Sequence, residues 1–219
     1  MQLDKPLAPG ATIGILGGGQ LGRMLALAAA RLGFKCHIYA PEAGSPAFQV
    51  SAAHTVGAYT DFAALESFAA TVDVVTYEFE NVPGETAAFL ETRVSLNPSA
   101  HALRSAQDRV EEKTFIAGLG IPVAPFAAVS DEASLDAAIA KIGRPAVLKT
   151  RRFGYDGKGQ TKIAAGISAA AAWAEIGKSP AILEAHVSFD KEISVIAARG
   201  RDGSIAVYDV PENRHADHI

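Results

Sequence analysis

The sequence predicts an α/β domain followed by an α+β domain, and three observations carry that reading. Between Thr12 and Pro98, short β-rich runs alternate with helical segments, the pattern of a parallel sheet with right-handed crossovers. From Ala146 onward the period changes, and β-rich runs dominate with Gly-containing turns among them, which favours antiparallel pairing. At 219 residues, 49% hydrophobic and 20% charged, the chain can bury a core of its own in one or two domains.

In chain order, "TIGILG" reads as a strand, "QLGRMLALAAARLG" as a helix stopped by Gly33, and "KCHIYA" as a second strand, together a β-α-β unit. "HTVGA", helical "DFAALESFAATV", "VVTYEF", helical "PGETAAFLET" and "VSLNP" repeat the alternation. A first domain over residues 1–104 and a second over 105–219 follow. "DRVEEKTFIAGLG" is helical, and "SDEASLDAAIAKIG" is a helix with Ser130 as its N-cap. "AVLKTR", "QTKIAA", "AILEAH", "KEISVIAARG" and "SIAVYDV" are expected strands, with "RDG" turning the last two into a hairpin. Alanine-rich "GISAAAAWAEIG" suits a helix. Cys36 is the single cysteine, so no intramolecular disulfide can form, and its apolar context makes it a small buried hydrophobe.

Charge narrows the partners. A net charge of −4 and no long basic run argue against nucleic acid and against an acidic membrane surface, while leaving a small anionic metabolite open. Neither a secretory leader pattern nor about 18 uninterrupted apolar residues occurs, so a cytoplasmic protein is expected.

Two glycine-rich stretches draw attention as sites. In "LKTRRFGYDGKGQ", residues 148–160, three glycines free the backbone to turn N–H groups inward, and Lys149, Arg151, Arg152 and Lys158 supply a field for a multiply charged anion. A solvated hairpin tip is the plainer alternative. "GILGGGQLG" fits G-x-G-x-x-G through Gly17, Gly19 and Gly22 at a strand-to-helix junction, with Glu42 about 20 residues on, so an NAD-binding oxidoreductase is one candidate.

Taken in order, "GGGQLGRM", "YEFENVP", "AQDRVEEKTF", "LKTRRFGYDGKGQ" and "NRH" resemble the N5-carboxyaminoimidazole ribonucleotide synthetase family of the ATP-grasp superfamily over nearly the whole chain. The resemblance implies a Rossmann-like pre-ATP-grasp domain followed by an ATP-grasp domain that is incomplete at its C-terminus. It also implies a homodimeric enzyme taking ATP, Mg2+, bicarbonate and 5-aminoimidazole ribonucleotide, which reacts through carboxyphosphate. A formate-dependent glycinamide ribonucleotide transformylase shares the architecture but lacks "GQLGRM" and "GYDGKGQ" in this form.

By this resemblance Gly154, Tyr155, Asp156, Gly157, Lys158, Gly159 and Gln160 form a loop closing over the ATP phosphates, with Lys149 and Arg109 as phosphate-side cations. The segment Glu184, Ala185, His186 and Val187 is the hinge whose backbone reads adenine. Glu192 takes the ribose hydroxyls, and His215 is a further nucleotide contact. Gln20, Leu21 and Glu78 are the implied substrate residues; the plainer alternative has Glu78 or Glu80 capping the helix that begins near Pro83. The magnesium ligands are expected beyond residue 219, since Asp209, Glu212, Asp217 and His218 do not match the family's spacing. Replacing Lys149 with Ala is expected to remove nucleotide turnover and leave the core intact.

Overall fold

The structure, a computed structural model, describes residues 5–154, 158–200 and 202–214. The chain divides into two compact units, Met1–Phe115 and Ile116–Ile219.

The first unit is built on parallel strands β1 (Thr12–Leu16), β2 (Lys35–Ala40), β3 (Ala53–Val56), β4 (Val74–Tyr77) and β5 (Ser95–Leu96) in the order β3-β2-β1-β4-β5. Its helices are α1 (Gln20–Arg31), α2 (Phe62–Ala69), α3 (Gly84–Glu91) and α4 (Ala100–Gln107), with a 3-10 turn at Pro46–Val50. Strand alternation sorts the core onto two faces. Ile15, Cys36 and Ile38 pack with Ala26 and Ala29 of α1, while Leu16, Tyr39 and Val75 pack with Leu65 and Phe68 of α2, Leu90 of α3 and Leu103 of α4. Cys36 is buried and unoxidised, as its apolar context suggested. Helix α4 escaped the sequence reading: "AHALRSAQ" has too few large apolar residues to show its period, and Ser99 starts it by accepting from the Ala102 N–H at 3.2 Å.

Helix α5 (Arg109–Gly118) precedes the second unit's four-stranded antiparallel sheet. That sheet holds β6 (Phe126–Val129), β7 (Ala146–Thr150), β8 (Gln160–Ile163) and β9 (Ala181–Ala185) in the order β6-β9-β7-β8. Helices α6 (Glu132–Ile142) and α7 (Ala169–Glu175) contribute Leu135, Ala138, Ile139, Ala172 and Trp173 to a core with Ala146, Leu148, Ile163, Ala181 and Leu183. The α6 cap is Asp131, not Ser130. Its carboxylate accepts from the Ser134 N–H at 2.7 Å, while the Asp131 N–H donates to Ser134 Oγ at 3.0 Å, a reciprocal box; the Ser130 N–H also donates to Ser134 Oγ at 3.0 Å, but its side chain caps no N–H of the helix.

The expected strand "KEISVIAARG" is two strands, β10 (Glu192–Ile193) and β11 (Ala197–Arg199), because each half finds a different partner. β10 pairs with β13 (Glu212–Asn213), and β11 pairs with β12 (Ile205–Val207) as the expected hairpin. Between them Ser194 is held by Asn213, whose Nδ2 donates to its Oγ at 2.7 Å. Among the described residues no helix is long and apolar enough to cross a membrane.

Candidate functional site

Each unit presents one polar focus, and both arise from strand geometry. In the second unit, successive residues of β7 alternate between the core and the opposite face of the sheet. Ala146 and Leu148 point into the core, whereas Val147 and Lys149 line a cavity of about 1030 Å3. β9 does the same, with Ala181 and Leu183 in the core and Glu184 in the cavity. Antiparallel register sets Val147 opposite Glu184 and Lys149 opposite Ile182, so Lys149 and Glu184 are diagonal neighbours on one face, within reach of long side chains. Lys149 Nζ donates to Glu184 Oε2 at 3.0 Å, with the carboxylate buried and the lysine side chain 27% exposed.

The remaining cavity wall includes Gln160, Thr161 and Lys162 of β8, Glu175 at the end of α7, and Ala185, His186, Val187, Phe189 and Glu192. Thr161 Oγ1 donates to Glu175 at 2.7 Å, and Asn213 Nδ2 donates to Glu192 at 3.2 Å. The 184–187 backbone is partly engaged: the Ala185 N–H donates to the Pro125 carbonyl at 2.8 Å and the His186 N–H to the Pro145 carbonyl at 3.2 Å. Val187 is half exposed beyond them.

Seven of the sequence-selected residues therefore meet in one cavity: Lys149, Gln160, Glu184, Ala185, His186, Val187 and Glu192. Gly159 closes the β7–β8 turn with φ +69°, and a Cβ there would lie 2.7 Å from Thr150 Oγ1, so glycine is required. Gly154 is half-buried and Lys158 exposed. Arg109 opens α5, within the first unit. Tyr155, Asp156, Gly157 and His215 lie outside the described residues. Val147, Thr161, Lys162, Glu175 and Phe189 line the cavity without having been singled out; for Val147 the signal was available in the alternation of "AVLKT".

Lys149 pairs with a buried carboxylate, so Lys149→Ala removes an ion-pair partner as well as a cation of the cavity wall.

In the first unit the focus is the loop between β1 and α1. Gly17 has φ +113°, and a Cβ on it would fall 2.2 Å from Glu78 Cγ. Glu78 follows β4 directly, and its carboxylate reaches back into the loop, accepting from the Gly19 N–H at 2.9 Å and from the Gly22 N–H. Glu78 thus caps α1, placing a negative charge at the positive end of that helix. It does not cap α3, whose N-cap is Pro83 with no side-chain hydrogen bond. The amides that a dinucleotide pyrophosphate would need at Gly19 and Gly22 are taken by the chain's own carboxylate, which leaves the NAD alternative without its anion site there. Gln20 and Leu21 begin α1 beside this contact, both exposed. Tyr59, near Glu42 and Glu78, has its hydroxyl pKa pushed well up, first by burial and then by those carboxylates.

Two family profiles divide the chain: a ribonucleotide synthetase preATP-grasp domain over residues 10–107 and an ATP-grasp domain over residues 114–219. The fold and the two foci define an ATP-grasp protein of the ribonucleotide synthetase kind. The N5-carboxyaminoimidazole ribonucleotide synthase of Brucella melitensis is 53% identical over 221 residues, covering 99% of this chain and 61% of that protein. The crystal structure of the ADP complex of an N5-carboxyaminoimidazole ribonucleotide synthetase, purK, superposes with a TM-score of 0.94 at 40% identity, covering 99% of this chain and 58% of that one. An Aspergillus clavatus N5-carboxyaminoimidazole synthase in complex with ADP and 5-aminoimidazole ribonucleotide gives 0.86 at 29% identity, covering 96% and 55%. The chain belongs to the N5-carboxyaminoimidazole ribonucleotide synthase family, and it spans about three fifths of the length of these relatives.

Proposed function

We propose that this chain supplies the nucleotide cavity and part of the ribonucleotide site of a ligase that carboxylates 5-aminoimidazole ribonucleotide with bicarbonate. ATP is converted to ADP and phosphate, and the product, N5-carboxyaminoimidazole ribonucleotide, feeds purine synthesis. The carrying observation is the cavity on the open face of the second unit's sheet, where Lys149, Glu184, Glu192 and the 184–187 backbone converge. By their titles, one longer relative binds ADP and another binds ADP and the aminoimidazole ribonucleotide, and that supports the same ligands here.

In this reading residues 105–219 hold ATP and residues 1–104 the ribonucleotide. Lys149, together with Arg109 and His215, offsets the charge of the phosphates as the transferred group moves. The hinge backbone takes the adenine edge, and Glu192 accepts from the ribose hydroxyls. A bicarbonate oxygen attacks the γ-phosphorus and ADP leaves, giving carboxyphosphate. The substrate's exocyclic amine then attacks the carboxyl carbon, phosphate departs, and the nitrogen loses its proton. Gly154 to Gln160 exclude water from the reactive carboxyphosphate. Gln20, Leu21 and Glu78 hold the ribonucleotide, Glu78 through its ribose hydroxyls.

Among the described residues no group of three or more His, Cys, Asp or Glu could hold a metal ion, so the described residues do not by themselves make a magnesium site. Magnesium enters this reading only as a companion of ATP. The working protein in this reading is a cytoplasmic homodimer.

A thermal-shift titration tests the nucleotide assignment. ATP with magnesium should raise the melting temperature, by the equivalent of about 2.7 kcal/mol at a hundredfold excess over Kd, and NAD should leave it unchanged. A shift with NAD and none with ATP overturns the reading.

A further inference from the structure

We propose that Tyr59 is a specificity residue of the ribonucleotide site: its hydroxyl donates to a ribose hydroxyl whose own proton goes to Glu78. The inference rests on the reading above that the first unit takes the ribonucleotide, and it names the side chain that tells a ribose from a deoxyribose there. Tyr59 follows the end of β3 by three residues and Glu78 follows β4 directly, so both stand past the carboxyl ends of parallel strands, the edge at which such sheets gather ligands. The Tyr59 backbone is clamped from two sides, by the Tyr39 hydroxyl donating to the Ala58 carbonyl at 2.8 Å and the Thr86 hydroxyl donating to the Tyr59 carbonyl at 2.5 Å. Its ring centroid lies 6.1 Å from that of Tyr39 and 6.2 Å from that of Phe79, the neighbour of Glu78 in the chain.

Packing accounts for the ring but not for the hydroxyl. A phenylalanine would fill the same place between Tyr39 and Phe79, yet the hydroxyl that distinguishes tyrosine makes no hydrogen bond among the described residues and is not sealed in the core. Burial first, and then Glu42, Glu78 and Tyr39, hold its pKa well above the ordinary 10, so at neutral pH it is a donor. Each Glu78 oxygen takes one amide, from Gly19 or Gly22, and has a second lone pair to offer. A ligand group lodged between the two side chains must therefore accept from the phenol and donate to the carboxylate. A sugar hydroxyl does both. An ionised phosphate oxygen only accepts and is repelled by Glu42 and Glu78, while an arylamine donates well and accepts poorly. The chemistry of the pair thus selects a hydroxyl, and the ribonucleotide carries hydroxyls only on its sugar.

The test is isothermal titration of wild type and Tyr59→Phe with 5-aminoimidazole ribonucleotide, with its 2′-deoxy and 3′-deoxy counterparts, with ribose 5-phosphate, and with ATP and magnesium as a control. Tyr59→Phe should bind the ribonucleotide about tenfold more weakly than wild type, with ATP affinity and melting temperature unchanged, since no protein hydrogen bond is lost. The tenfold difference should vanish with the deoxy counterpart that lacks the contacted hydroxyl and persist with the other. Ribonucleotide affinity unmoved by Tyr59→Phe overturns the proposal and keeps the ribonucleotide reading. A loss that persists with both deoxy counterparts, or that ATP shares, also overturns it, because the hydroxyl would then act through the fold and not through the sugar. Wild type that binds ribose 5-phosphate in a Tyr59-dependent way but not the ribonucleotide removes the ribonucleotide reading and keeps Tyr59 as a sugar contact. Binding of neither overturns both.

Discussion

Glu78 in the first unit and Glu184 in the second both stand at or beside the carboxyl end of a strand, Glu78 half-buried and Glu184 buried. They are satisfied differently. Glu78 is held by backbone N–H groups of Gly19 and Gly22, whereas Glu184 is held by the ammonium of Lys149 at 3.0 Å. The first arrangement uses up the anion-attracting end of α1 and turns a glycine motif that reads as a dinucleotide loop into a mount for an acid. The second sets a cation and an acid side by side on the wall of a cavity. A carboxylate that binds backbone amides occupies the anion-attracting end of a helix, whereas one that binds a side-chain ammonium keeps both groups on the cavity wall.

The largest effect should come from breaking the second arrangement. Lys149→Ala is expected to abolish ATP binding and to lower stability by about 2 kcal/mol, less than a fully buried pair would lose because the lysine side chain is 27% exposed. Urea denaturation measures the stability loss, and Lys149→Met/Glu184→Gln should recover part of it by removing the buried carboxylate's charge. Equal stabilities of Lys149→Ala and the double variant would show that Glu184 keeps enough compensation without Lys149.

Breaking the first arrangement should have a smaller effect. Glu78→Gln keeps one acceptor oxygen but turns an amide donor toward an N–H, so a loss of about 1 to 2 kcal/mol is expected. Hydrogen exchange should quicken at Gly19 and Gly22, which locates the loss in the loop. The same variant should raise the Michaelis constant for the ribonucleotide far more than that for ATP; a change confined to ATP would put Glu78 on the wrong ligand.

The smallest effect sharpens the comparison with a neutral polar group in the first unit's sheet. His37 is buried in β2, its Nδ1 2.9 Å from Thr71 Oγ1 and its Nε2 2.8 Å from Thr55 Oγ1. Thr71 spends its own proton on the Phe68 carbonyl, so Nδ1 carries the imidazole proton and Nε2 accepts. Burial first, and then the nearby His54, lower the His37 pKa below its ordinary 6.5. A lowered folded value means that the unfolded chain takes up the proton first as pH falls. The contribution to stability is complete above pH 6.5 and declines as pH drops toward and through the folded pKa. Denaturation midpoints between pH 7.5 and 5 should show the decline in wild type and a flatter profile in His37→Gln; identical slopes would assign the acid sensitivity elsewhere.

Much of the architecture was written in local pattern. The alternation of "TIGIL", "KCHIYA" and "VVTY" with helical runs specified parallel strands, and "AVLKT" beside "AILEA" already put Lys149 and Glu184 on the faces opposite Leu148 and Leu183, because side-chain direction along a strand depends only on parity. Helix α4 and the boundary between β10 and β11 were not legible, since "AHALRSAQ" is short and carries a single large apolar residue, Leu103, and strand ends are set by partners far away in sequence. The decisive pairings were also out of reach. That Glu184 meets Lys149 depends on the β7–β9 register, across 35 residues, and that Glu78 enters the Gly17–Gly22 loop depends on β4 lying beside β1, across 59 residues from Gly19. Sequence fixes which face a side chain takes, through the geometry of its own backbone. Its partner is chosen by strand order and register, which are properties of the whole packed chain.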